Sequence, residues 1–117
     1  MKKGTITIRY IQEYLKHKQG QFDHTEDTKM CFVKLAEEMG ELARVMLRGE
    51  RHATSAEDLK GSIEEELFDI LYYTLAFANA TGVDLETWIP LKEAINNKRY
   101  PSGIEFDPAD ESWFDEE

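Results

Sequence analysis

The sequence has little of the chemistry that marks several large classes of protein. Its 117 residues include one cysteine, Cys31, so no disulfide can form within the chain, as is usual in a reducing compartment. The longest apolar stretch, residues 67–80, contains Asp69 and Asn79 and is too short to span a bilayer. The N-terminal segment has no apolar run of the kind that a signal peptide needs. We therefore expect a cytoplasmic protein without a membrane anchor.

Positive charge is also scarce. There are 14 lysines and arginines against 24 aspartates and glutamates, which gives a net charge of −10. Residues 101–117 contribute −7 of this charge and contain no basic residue, so the first 100 residues carry only −3. Proteins that bind nucleic-acid backbones concentrate lysine and arginine, so we expect no nucleic-acid partner. The charge division predicts a single domain over residues 1–100 and an acidic tail over residues 101–117.

Strand signals are almost absent. Only residues 5–8 alternate with β-branched side chains, and a run of that length cannot carry a sheet. Apolar residues instead recur at helical spacing, which predicts an all-α fold of four helices. Ser62 begins a capping box, and Pro90 predicts a kink or a late start of the last helix. The predicted helices run from about Thr7 to Lys18, Glu26 to Arg48, Ser62 to Gly82 and Asp84 to Arg99, with Thr25 or Asp27 capping the second.

The third helix predicts self-association. Beyond Asp69 its apolar residues cover the full circle of the helix, through Phe77 and Ala78. A helix that is apolar all round must be buried all round, and a chain of this size can hardly surround one of its own helices. We therefore expect a homodimer or homotetramer that associates through its central helices.

Two pairs of carboxylates stand out on the second and third helices. Glu38 and Glu41 are three residues apart, as are Glu66 and Asp69, and residues at this spacing share one helix face. Four carboxylates directed at one point need a cation between them, and oxygen ligands favour Mg²⁺, with Mn²⁺ as the second choice. Ferritin-like di-iron sites add a Glu-x-x-His motif, but neither helix contains a histidine.

The remaining charges of these helices have simpler interpretations. At 100° per residue, Glu37, Arg44 and Arg48 fall on the side of the second helix away from the apolar stripe, as solvated charges do. Lys34, one turn before Glu38, is a candidate phosphate ligand. Asn96, Lys98 and Arg99 place an amide and two cations at the end of the last helix. Cations are also favoured at helix C-termini by the macrodipole alone.

The carboxylate pattern resembles a known family. Glu37-Glu38-x-x-Glu41, a gap of 24 residues and Glu66-x-x-Asp69 are similar to the E-E-x-x-E…E-x-x-D pattern of MazG-like nucleotide pyrophosphohydrolases, which belong to the all-α NTP pyrophosphatase superfamily. The resemblance covers residues 29–101 and includes the segments 71–73, 82–85 and 95–101.

Membership of this family would imply a four-helix MazG-like bundle and Mg²⁺-dependent cleavage of nucleoside triphosphates to the monophosphate and pyrophosphate, in a role such as nucleotide-pool house-cleaning. The implied metal ligands are Glu38, Glu41, Glu66 and Asp69. The resemblance places Tyr73, Asn96, Lys98 and Arg99 near the base or the phosphates. Glu37 and Glu41 are both candidates for the general base. The competing hypothesis is a non-enzymatic dimerisation or regulatory module whose carboxylates are structural or hold a metal without turnover.

Overall fold

The computed structural model of the protein describes residues 4–18 and 27–114. Within these ranges the chain forms four α-helices and one 3₁₀ turn, Ala56–Asp58, and no strand. The all-α prediction is therefore confirmed. The predicted connection between the first and second helices lies outside the described residues. The helices are α1 (Ile8–Lys18), α2 (Thr28–Leu47), α3 (Ile63–Ala80) and α4 (Leu85–Arg99).

Asp27 begins α2 by capping it. One carboxylate oxygen, Oδ1, accepts hydrogen bonds from the backbone N–H groups of Lys29, at 2.9 Å, and Met30, at 3.3 Å. These N–H groups have no partner within the helix, so an acceptor at the cap stabilises the first turn. Of the two caps predicted for α2, Thr25 lies outside the described residues. The helix ends before Gly49, whose φ of 116° is a conformation that favours glycine.

Ser62 caps α3, but the predicted capping box forms only in part. The buried Ser62 Oγ accepts from the Glu65 N–H at 3.1 Å. The side chain of Glu65 does not complete the box at Ser62 and instead accepts from the Gly61 N–H at 2.8 Å. The N–H of Ser62 is already donated to the Leu59 carbonyl at 3.2 Å. Together these hydrogen bonds fix the residue at which α3 begins after the preceding loop.

α3 is the central helix of the unit that ends at Asp84, and it packs against both α2 and α1. Its C-terminal half is the most buried part, with Leu75 only 1 % exposed. A reciprocal amide pair joins it to α1. Gln12 Nε2 donates to Asn79 Oδ1 at 2.9 Å, and Asn79 Nδ2 donates to the Gln12 carbonyl at 2.9 Å. The buried apolar side chains are Leu15, Cys31, Val45, Leu75, Ala76 and Ala78.

One side of the N-terminal half of α3 carries exposed apolar side chains. Leu67 is 53 % exposed, and Phe68 and Leu71 are also exposed. These exposed apolar side chains are available for contact with a second copy of the chain. The self-association inferred from the sequence stays a prediction.

The second unit starts at Leu85 and contains α4. α4 includes Pro90 at its sixth position, so the prediction of a late helix start at the proline is wrong, and a bend there stays a prediction. Proline lacks the N–H of a helix interior but can be accommodated at the loss of one hydrogen bond. Among the described residues, no helix has both the length and the apolar character required to cross a membrane.

Candidate functional site

Three carboxylates converge where α2 and α3 pack together. Glu38 projects from α2, and Glu66 and Asp69 project from α3. One carboxylate oxygen from each residue lies within 4.8 Å of the others. The spacing of Glu66 and Asp69 places both on one face of α3, and the packing of α2 brings Glu38 to that face. We call these three residues the carboxylate cluster.

Glu66 is the most enclosed member of the cluster. It is 6 % exposed, and its Oε2 atom is buried without a hydrogen-bond partner among the described residues. Burial, followed by the close approach of Glu38, raises the pKa of Glu66 to about 7. Burial and then the charge of Glu38 also raise the pKa of Asp69. A buried acceptor left without a partner is costly, and no ion pair to a cluster carboxylate is present among the described residues.

The cluster has the properties of a site for a hard divalent cation. Its ligand atoms are all carboxylate oxygens, which Mg²⁺ and Mn²⁺ prefer over softer ligands. A bound cation would also satisfy Glu66 Oε2 and remove the mutual repulsion that raises the pKa values. The residues present therefore fit a metal ion.

Glu41 and Glu37 lie outside the cluster. Glu41 is one α2 turn from Glu38 and lies 4.0 Å from the guanidinium of Arg44. Glu37 is exposed and pairs with Lys34 at 3.3 Å. The structure thus brings together three of the four residues predicted as metal ligands, while Lys34 binds a neighbouring carboxylate on its own helix.

Comparison with known proteins identifies the family. The MazG nucleotide pyrophosphohydrolase domain matches residues 26–101, which include all three cluster carboxylates. The chain belongs to the MazG nucleotide pyrophosphohydrolase family. The family predicted from the carboxylate pattern is therefore confirmed.

Individual relatives resemble the chain in sequence or in structure. The uncharacterized protein YpjD of Bacillus subtilis (strain 168) is 35 % identical over 83 residues, which cover 68 % of this chain and 74 % of YpjD. A crystal structure of iMazG from Vibrio DAT 722 matches with a TM-score of 0.69 and 38 % identity, covering 82 % of this chain and 99 % of iMazG. A second iMazG structure matches with a TM-score of 0.68 and 39 % identity, covering 79 % and 99 %. The fold is a MazG-like all-α fold.

Tyr73 lies one turn beyond Asp69 on α3. Its ring meets that of Tyr72 edge to face, with the ring centroids 5.1 Å apart. Burial, then Tyr72, Glu38 and Asp69, raise the pKa of the Tyr73 hydroxyl. The hydroxyl is therefore within the electrostatic influence of the cluster and is protonated at neutral pH.

Asn96, Lys98 and Arg99 lie on α4, in the second unit of the MazG chain. Asn96 Nδ2 donates to Glu93 Oε1 at 2.9 Å, and the Asn96 carbonyl accepts from the Tyr100 N–H at 2.7 Å. The carboxylate cluster is formed entirely within the first unit, and the predicted substrate contacts of these three residues stay predictions.

Sequence reasoning missed a basic cleft beside the cluster. The cleft has a volume of about 310 Å³, and its lining includes the side chains of Arg44, Arg48 and Arg51 together with Glu41 and Glu66. Arg44 and Arg48 were predicted to be solvated charges because they lie opposite the apolar stripe. The connection between α2 and α3 brings Arg51 to the same side, which helical periodicity cannot show. The sequence feature that could have indicated this cleft is the pair Arg44 and Arg48, which lie four residues apart after Glu41.

Proposed function

We propose that the protein is a Mg²⁺-dependent nucleoside triphosphate pyrophosphohydrolase that converts a (d)NTP into the (d)NMP and pyrophosphate. Membership of the MazG family supports this reaction class. The observation that carries the proposal is the carboxylate cluster, in which Glu66 is buried with an oxygen that has no partner among the described residues. Surface carboxylates would be solvated. A role in clearing unwanted nucleotides of the cytoplasmic pool is part of the proposal.

Glu38, Glu66 and Asp69 would hold the metal, with Glu41 one turn away as the fourth carboxylate. The metal would neutralise phosphate charge and orient the triphosphate for in-line attack. Mg²⁺ is the proposed ion because the cluster offers oxygen ligands alone, and Mn²⁺ would substitute for it. The anionic cluster by itself repels a triphosphate, so without a cation these residues would disfavour substrate binding.

Glu41 is the proposed proton acceptor for the attacking water. It lines the same cleft as Glu66, whereas Glu37 is not among the described residues that line the cleft and pairs with Lys34. A general base must be within hydrogen-bond reach of the water that it activates, and the position of Glu41 beside Glu66 favours it over Glu37.

The other contacts to substrate are proposed from the family resemblance. The Tyr73 hydroxyl would donate a hydrogen bond to the substrate near the cluster. Asn96, Lys98 and Arg99 would contact the base or the phosphates, and Lys34 would release Glu37 to bind a phosphate. We also propose that residues 1–100 function as one domain, with 101–117 as a tail, and that the protein acts as a homodimer or homotetramer.

The experiment that tests the function measures pyrophosphate release from a panel of NTPs and dNTPs with Mg²⁺. Glu38→Gln and Asp69→Asn should each lower kcat/KM by about a hundredfold or more, because each removes a charged metal ligand. The matched control is Glu13→Gln, on the exposed side of α1. Circular dichroism would verify folding.

The outcomes separate an enzyme from a structural module. Release by the wild type and the control, but not by the folded cluster variants, would establish the reaction. No release from any nucleotide, together with no change in melting temperature at millimolar Mg²⁺, would reject the proposal. Loss of folding in both cluster variants would favour the module whose carboxylates are structural.

A further inference from the structure

The basic cleft shares a wall with the carboxylate cluster. Glu66 belongs to the cluster and also lines the cleft. The cleft is also lined by Arg44, in the last turn of α2, by Arg48, the C-terminal cap of that helix, and by Arg51 of the loop that follows. The buried carboxylate of Glu66 therefore belongs both to the carboxylate cluster and to a cleft that is lined by three arginines.

The lining of the cleft fits an anion and does not fit a nucleobase. Val45 is its one apolar side chain, and no aromatic residue is among the described residues that line it. Bases are usually held by stacking and by apolar contact, which this lining cannot provide. Guanidinium groups, by contrast, match phosphate oxygens in both charge and geometry. A volume of about 310 Å³ is sufficient for a diphosphate group.

The three arginines differ in how far their donors are already used. Arg51 donates from Nη2 to the carbonyls of Asp58 and Lys60, so its side chain is fixed by the loop. Arg44 has a single ion pair with Glu41, at the long distance of 4.0 Å. The guanidinium of Arg48 has no ion-pair partner within the described part of the chain. Arg44 and Arg48 are thus the residues with donors available for a ligand.

We propose that this cleft binds the terminal diphosphate of the substrate, the group released as pyrophosphate, through Arg44 and Arg48. The inference rests on the proposed function. Glu38, Glu66 and Asp69 would hold the metal, which would neutralise phosphate charge, and Arg44 and Arg48 would bind the β- and γ-phosphates in the cleft that Glu66 also lines. Arg51 is a positioning residue that holds the loop forming the floor of the cleft.

The test measures binding without turnover, by calorimetry with Mg²⁺ and three probes. These are inorganic pyrophosphate, an α,β-imido dNTP that resists hydrolysis, and the matching dNMP. Arg48→Gln and Arg44→Gln should each raise the Kd of the first two probes about tenfold or more, since each loses a charge-assisted hydrogen bond. The Kd of the dNMP should stay within about twofold. Arg9→Gln, an exposed arginine of α1, is the control with the same change of charge.

Several results would overturn the inference. One is an unchanged Kd for pyrophosphate in the folded Arg44→Gln/Arg48→Gln double variant. Another is an equal loss of affinity for the dNMP, which would place the α-phosphate in the cleft. Lysine at both positions keeps the charge but loses the forked donors, and it should restore only part of the affinity. This variant keeps the test valid if the double glutamine variant does not fold.

Failure of the inference can be told apart from failure of the proposed function. If the wild type hydrolyses nucleotides while the double variant binds pyrophosphate as tightly as the wild type, the function stands and the assignment of the cleft is wrong. If no nucleotide is hydrolysed but pyrophosphate binding depends on Arg44 and Arg48, the cleft assignment stands and the function is wrong.

Discussion

Glu38 on α2 and Asp69 on α3 have carboxylate oxygens within 4.8 Å of each other. After burial, the charge of Glu38 is the largest cause of the raised pKa of Asp69. The packing of α2 against α3 thus brings negatively charged groups close together. Such an arrangement reduces the stability of the metal-free fold and is favourable only with a cation between the carboxylates.

The first prediction concerns Glu66→Gln, which removes the most buried charge of the cluster. Without metal at pH 8, this variant should melt about 4 °C or more above the wild type, because an ionised buried carboxylate without a partner is destabilising. Added Mg²⁺ should raise the melting temperature of the wild type by mass action and leave that of the variant unchanged. Differential scanning calorimetry in EDTA and in Mg²⁺ checks both, with the exposed Glu37→Gln as control. A variant less stable than the wild type in EDTA would contradict the prediction.

The second prediction is the pH dependence of the metal-free protein. The pKa of Glu66 is raised from 4.5 to about 7 in the folded state. Protonated Glu66 therefore contributes fully to stability below pH 4.5, and this contribution is lost as the pH rises to about 7. The reason is that Glu66 ionises at a lower pH in the unfolded chain than in the folded protein. Urea unfolding in EDTA should show the free energy of unfolding falling more steeply between pH 5 and about 7.5 in the wild type than in Glu66→Gln. Parallel curves would show that Glu66 titrates normally.

The third prediction concerns Glu64, which anchors the loop after α2. Its carboxylate accepts from the Ala53 N–H and lies against His52 Nδ1, both at 2.8 Å. These contacts, with that of Ala53 the largest, lower the pKa of Glu64 from 4.5 to about 2. The stabilisation is present above pH 4.5 and is lost as the pH falls towards 2. NMR titration of His52→Ala should find the Glu64 pKa still below 4.5, since the Ala53 N–H remains. A return to 4.5 would assign the effect to the histidine.

The fourth prediction concerns the amide pair that joins α1 to α3. Asn79→Ala should cost about 1–3 kcal/mol in the free energy of unfolding, because it leaves the buried Gln12 amide without one partner. A double-mutant cycle with Gln12→Ala should give a coupling free energy of about 1 kcal/mol. The exposed Lys16→Ala on α1 is the control and should be nearly neutral. Additive effects would show that the two amides do not stabilise one another.

The fifth prediction concerns self-association. Leu67 and Leu71 are exposed on the central helix, and a charge placed there would oppose burial by a second copy. The wild type should sediment as a dimer or tetramer, and Leu67→Glu/Leu71→Glu should shift it to the monomer. Analytical ultracentrifugation over a range of concentrations measures this shift. A monomeric wild type would contradict the prediction.

The sequence predicted the elements that depend on local chemistry. Helical periodicity, the Ser62 cap and the i, i+3 spacing of Glu66 and Asp69 all act within one or two turns, so they can be read directly from the chain. The structure agrees on the cap, the helices and the grouping of three carboxylates. The convergence of the two carboxylate pairs was inferred from their spacing on two helices, and the family resemblance agreed with that inference.

The parts that the sequence did not predict depend on how the loop after α2 folds. Arg51 reaches the carbonyls of Asp58 and Lys60, and its own carbonyl accepts from the Ile63 N–H at 2.9 Å. No local pattern encodes these contacts. For this reason the basic cleft was missed.

The bonds made by Arg51 also have a consequence for the order of folding. They connect residues less than 13 positions apart, whereas the Gln12–Asn79 pair that holds α1 closes a loop of 67 positions. Closing the short loop costs less chain entropy. We therefore expect the helix–loop–helix unit of α2 and α3 to form before α1 docks, and pulsed hydrogen exchange should protect α2 and α3 first. A metal ion could then bind the cluster in this early unit, so that metal binding would contribute to the folding rate as well as to the stability of the finished fold.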